Sequence, residues 1–127
     1  MQSTTMLFVP DVEATSKWYQ NFLGVDSGHG GPEFEMLLSE GNLFLQLHLI
    51  EPGHHDHEVA TDGPLGHGVV VVIYVNDAET LFHKARSIGL EILLEFQFNE
   101  VANMHEFVVR DLNGYSLMIC QTQWDKT

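Results

Sequence analysis

Only one cysteine, Cys120, occurs in the 127 residues, so no intrachain disulfide framework can staple this chain. Cations are also scarce: 5 Lys and Arg stand against 18 Asp and Glu, a formal charge of −13. That imbalance argues against nucleic acid and anionic membrane as partners, because both are bound by neutralising phosphate with Lys and Arg. A cationic or neutral small molecule suits the chain better, and most of the acidity serves solubility. No apolar run nears the ~20 residues of a membrane-spanning helix. The longest, 69–75, is rich in β-branched residues and of strand length. The opening Met1-Gln2-Ser3-Thr4-Thr5 lacks the basic and apolar regions of a secretion signal, which sets the expectation of a cytoplasmic protein. With 44% hydrophobic residues the chain suffices for one well-buried domain, 1–127, and is too short for two ordinary ones.

What is present centres on the stretch 43–50, where leucine alternates with other residues. A period of 2 sends Leu43, Leu45, Leu47 and Leu49 to one face of a strand and Phe44, Gln46, His48 and Ile50 to the other. The first face must pack on something dry; the second, an aromatic, an amide and an imidazole, reads as a pocket wall or as a face turned to water.

In chain order the pattern predicts a strand at 4–9, then a helix capped by Asp11 and stopped at Gly24, with Trp18, Tyr19, Phe22 and Leu23 on one face. Residues 27–32 read as a loop or irregular strand connection, followed by strands at 33–39 and 43–50. A loop at 51–66 carries the run His54-His55-Asp56-His57-Glu58. Its spacing builds no closed tetrahedral metal shell, so a solvated loop that picks up metal adventitiously is the favoured reading. A strand at 67–76 leads to a helix capped by Asp77 and ended by Gly89, with Ala78, Leu81, Phe82, Ala85 and Ile88 as its apolar stripe. Strands at 91–98, 105–110 and 115–121 follow, the last two joined by Asp111-Leu112-Asn113-Gly114. On the strand 91–98 the periodicity leaves open whether Ile92, Leu94, Phe96 and Phe98 or Glu91, Leu93, Glu95 and Gln97 face inward.

The halves repeat. Val9-Pro10-Asp11 aligns with Val75-Asn76-Asp77 at an offset of 66, and Glu35-Met36-Leu37-Leu38-Ser39-Glu40 aligns with Glu106-Phe107-Val108-Val109-Arg110-Asp111 at an offset of 71. Modules at 1–50 and 67–121 with a linker at 51–66 result.

With these motifs in this order the chain resembles the vicinal oxygen chelate superfamily of glyoxalases, bleomycin-resistance proteins and extradiol dioxygenases. The residues that carry the likeness are Val9-Pro10-Asp11, the helix end Trp18-Tyr19 to Phe22-Leu23-Gly24, Val75-Asn76-Asp77, and Glu106-Phe107 through Asp111 to Gly114. The last stretch is similar to the Glu-Phe-x-x-x-Asp-Pro-x-Gly signature of the bleomycin-resistance-like branch, with Leu112 in place of the usual proline. The resemblance implies an α+β fold of two tandem βαβββ modules, forming a curved mixed sheet around a cavity with helices outside. On that implication the leucine face of 43–50 packs under a helix. The cavity wall then includes Phe8, Phe44, Gln46, His48, Tyr74, Ser116, Met118 and Cys120 as ligand-binding residues, with Met6 and Val72 beside them.

Metal-using members hold an ion with four ligands on the first and last strands of each module. The equivalent positions here are Thr4, Gln46, Val70 and Met118, which offer a divalent ion almost nothing. No metal or other cofactor is therefore expected. His48 and Cys120, two residues further on, would need two more donors to begin a soft metal site. The function implied is a metal-independent binding protein that sequesters an apolar or cationic small molecule, working as a homodimer. The alternatives are an isomerase, lyase or dioxygenase of the same fold using a metal or His48 as base, and an interaction module with no cavity.

Overall fold

The computed structural model describes residues 1–51 and 59–122. The chain divides into two compact units, 1–65 and 66–127. Each holds a four-stranded mixed sheet and a helix, which is the α+β arrangement of paired βαβββ modules. The run 54–58 lies outside the described residues.

In the first unit β1 (Met6–Val9) leads into α1 (Val12–Leu23), then β2 (Asp26–His29), β3 (Phe34–Ser39) and β4 (Asn42–Leu49). The sheet order is β1-β4-β3-β2, with β1 parallel to β4 and the other pairs antiparallel. A parallel pair needs a long crossover, and α1 with the β2–β3 hairpin supplies it. Asp11 starts the helix by accepting a bond from the Ala14 N–H at 3.0 Å, and Gly24 ends it in the left-handed conformation at φ +71°. Val12, Thr15, Ser16, Tyr19 and Phe22 form its buried face. They pack on β3 and β4, where Leu37, Leu45 and Leu47 are fully buried, each apolar side chain contributing about 1.5–3 kcal/mol. The dry side of β4 is thus the leucine side, with Leu43 and Leu49 only half-buried toward its ends.

The second unit repeats the plan with β5 (Val70–Tyr74), α2 (Ala78–Ser87), β6 (Ile92–Asn99), β7 (Met104–Arg110) and β8 (Ser116–Thr122), ordered β5-β8-β7-β6. Asp77 caps α2 through the Thr80 N–H, and Gln121 from the last strand accepts the Ala78 N–H at 2.7 Å. Phe82 then meets Phe107 edge-on at 5.3 Å and Phe96 at 5.9 Å. Asp111 closes the β7–β8 turn by accepting the N–H groups of Asn113 and Tyr115, and Gly114 takes φ +97°. The turn thus forms with Leu112 where the signature has proline. Ile88, assigned to the apolar stripe, is the C-cap of α2 and stays 43% exposed.

Two differences from the sequence reading matter for the site. The pairs Glu35↔Leu47 and Phe107↔Ile119 show that Glu35 is the counterpart of Phe107, not of Glu106. The repeat offset on these strands is therefore 72 rather than 71, and a one-residue slip moves a side chain to the opposite face. Glu35 lies under α1, whereas Glu106 lies on the helix-free side of its sheet. On β6, register shifts between 92 and 94 and between 94 and 97 break the alternation. Phe96 turns to Phe82 on the helix side, while Leu94 pairs with Val108 and Gln97 with Glu106 on the other, so neither alternating set keeps to one face.

Candidate functional site

On the helix-free face of the first sheet, strand pairing places side chains in rows. One row runs Phe8, His48, Phe34 and the next Met6, Gln46, Met36. The His48 ring stands 5.0 Å from that of Phe8, and the His29 ring lies 6.0 Å from Phe34. His48 Nδ1 lies 2.9 Å from the Leu49 carbonyl, an oxygen that accepts a hydrogen bond when Nδ1 carries a proton. Phe44 sits in the β3–β4 irregularity, skipped by the register between Leu37↔Leu45 and Leu38↔Leu43.

The second sheet answers row for row: Tyr74, Cys120, Glu106, Gln97; then Val72, Met118, Val108; then Val70, Ser116, Arg110. Tyr74 is 60% exposed, and Val70 and Val72 are exposed beside it on the edge strand β5. Every candidate residue of the second module thus falls on one sheet face, as Phe8, Gln46 and His48 do on the first. Glu106 is the member that periodicity missed. It was legible only as part of a turn signature, and the cross-strand pair Glu106↔Cys120 is what brings it beside the thiol. It is 4% exposed, and among the described residues its hydrogen-bond partner is the Asn99 amide at 2.6 Å. Burial raises the Cys120 thiol above its ordinary pKa of 9.0, and the Glu106 carboxylate raises it further.

The linkage has a definite sign. Above pH 9.0 the unfolded chain releases the Cys120 proton while the folded chain keeps it, so stability falls as pH rises until the folded thiol also ionises. Urea titrations at pH 8 and about 10 should show this loss, with a flatter alkaline limb in Cys120→Ala.

The positions that hold metal in metal-using relatives fit an ion poorly. Thr4 offers a hydroxyl, whose buried Oγ1 has no hydrogen-bond partner. Val70 offers no donor, Met118 a thioether and Gln46 one amide oxygen, between Met6 and Met36. Divalent ions take about three or four good N, O or thiolate donors. Among the described residues no group of three or more His, Cys, Asp or Glu could hold a metal, and no helix is long and apolar enough to cross a membrane.

Residues 2–119 match the sequence model of the Glyoxalase/Bleomycin resistance protein/Dioxygenase superfamily, and the chain belongs to that family. No curated protein matches it. Among solved structures it is similar to TioX from Micromonospora sp. ML1, with 19% identity, 95% of this chain and 98% of that one covered, and a TM-score of 0.70. A glyoxalase-related enzyme from Fulvimarina pelagi aligns with 18% identity over 96% and 88% of the two chains at a TM-score of 0.77. A protein of unknown function from Agrobacterium tumefaciens str. C58 aligns with 14% identity over 96% and 94%, also at 0.77. At these identities the likeness is one of fold.

Proposed function

We propose that the chain is a metal-independent small-molecule-binding protein of the glyoxalase/bleomycin-resistance type. It sequesters an apolar or cationic organic ligand against the helix-free faces of its sheets, needs no cofactor and works as a cytoplasmic homodimer. The observation that carries the reading is the pairing of donor-poor chelating positions with rows of aromatic, sulfur and imidazole side chains around them. Such a surface suits an organic guest, with a few polar groups to orient it. Tyr74 and Glu106, flanking Cys120 in one row, favour a cationic guest, since an aromatic face and a carboxylate both attract positive charge. The exposed Val70, Val72 and Tyr74 on an edge strand support pairing with a second copy.

Metal analysis of chelator-treated, untagged protein should find less than one ion per chain; a tight stoichiometric ion would overturn the reading. In a thermal-shift screen, a true ligand at a hundred times its Kd adds about 2.7 kcal/mol and raises Tm accordingly. That rise should shrink in Glu106→Gln if the guest is cationic.

A further inference from the structure

On the opposite, helix side of the first sheet, Glu35 is 2% exposed. Its Oε2 accepts the hydroxyls of Ser16 and Ser27, each at 2.8 Å, and its Oε1 accepts the His29 N–H at 3.3 Å. Ser16 in turn accepts from the Gln20 amide at 2.9 Å. This convergence is built into the backbone. The β2–β3 register shifts between Ser27 and His29, so the bulge at Gly28 aims a side chain and a main-chain N–H at one carboxylate. A Cβ on Gly28 would lie 2.6 Å from the Leu38 side chain and 2.8 Å from the Met36 carbonyl, so the bulge needs glycine.

All three donors are neutral, and among the described residues no cationic side chain pairs with Glu35. Withdrawing a carboxylate from water costs several kcal/mol, and here it is offset by neutral hydrogen bonds and not by an opposite charge. Beside it opens a cleft of about 300 Å³ between α1 and the β2–β3 hairpin, with Glu13, Lys17 and Gln20 on the helix wall and Gly30 on the other. A water molecule's share of liquid is about 30 Å³, so the space admits a small organic group. Two carboxylates against one ammonium make the cleft net negative.

We propose that this cleft is a second ligand site, which binds the guanidinium or primary ammonium head of a small organic cation against the Glu35 carboxylate. Three of the carboxylate's roughly four acceptor sites are taken, and the N–H of a cationic guest would fill the one left on Oε1 with the charge-assisted bond that the hydroxyls do not make. Gly30 keeps the wall open: a Cβ there would lie 3.0 Å from Ser27 Oγ and 3.4 Å from Glu35 Oε2. The site shares no residue with the Phe8, His48 and Phe34 row, so it stands or falls independently of the ligand proposed for that face.

The test is an amide NMR titration of the full-length, isotope-labelled chain with methylguanidinium, methylammonium and tetramethylammonium chlorides. Methylguanidinium should give saturable shifts centred on Ser16, Ser27, His29, Gly30 and Gly31, with a Kd of about 1–10 mM, the range open to so small a ligand. Tetramethylammonium, a cation without N–H donors, should bind at least about tenfold more weakly, as should methylguanidinium to Glu35→Gln and Gly30→Ala. If Glu35→Gln does not fold, Gly30→Ala and Glu13→Gln carry the comparison, the latter weakening binding by removing rim charge. Shifts that stay linear in concentration, an equal response to tetramethylammonium, or unchanged affinity in the folded variants would overturn the proposal.

Discussion

Exchanging Gln46 and Leu47 in the double variant Gln46→Leu/Leu47→Gln should abolish folding of the first unit, seen as collapse of its dispersed amide resonances. Leu47 is fully buried under α1, and the exchange puts an amide there with no partner while moving a leucine to the helix-free face. The single variants separate the two faces. Leu47→Ala should lose about 2–5 kcal/mol through lost burial and the cavity left behind. Gln46→Ala should stay within about 0.5 kcal/mol of the parent, because its side chain is half-buried and packs no core. It should still reduce the Tm rise given by any ligand of that face. Equal losses from the two alanine substitutions would mean that the strand does not separate a core from a binding surface.

Phe107→Ala should destabilise the second unit by about 3–5 kcal/mol. The Phe107 ring is fully buried and meets Phe82 edge-on, so truncation removes an aromatic pair as well as area. Amide hydrogen exchange of β7 and β8 reads the loss directly, as faster exchange from the most protected positions. Phe107→Leu, which refills most of the volume, should recover a large part of it.

Much of this was legible in the sequence because the local signals agree with each other. Asp11 with Gly24 marked one helix, and Asp77 with Gly89 the other. Alternation in 43–50 gave both faces of β4, and with β1 paired in parallel the placement of Phe8 beside His48 follows. What was not legible depends on bulges. Nothing in the composition of 91–98 announces two register shifts, and each resets a period that pattern reading assumes unbroken. The same holds for β2: Asp26–His29 contains no large apolar residue, yet it pairs with β3 because Gly28 accommodates the irregular register. The repeat offset failed for a related reason. Matching Glu35 to Glu106 rewards identity, whereas the sheet aligns Glu35 with Phe107 and so gives the two glutamates opposite surroundings.

Each unit completes its sheet by joining its first strand to its last. Met6 has no partner until Gln46 has been synthesised, and Val72 must wait for Met118. During translation, then, β1 and α1 emerge from the ribosome with Leu7, Val9, Tyr19 and Phe22 still uncovered, and this exposure ends only when β4 follows. A nascent chain halted before that point offers chaperones and proteases a partly covered hydrophobic helix and an unclaimed strand.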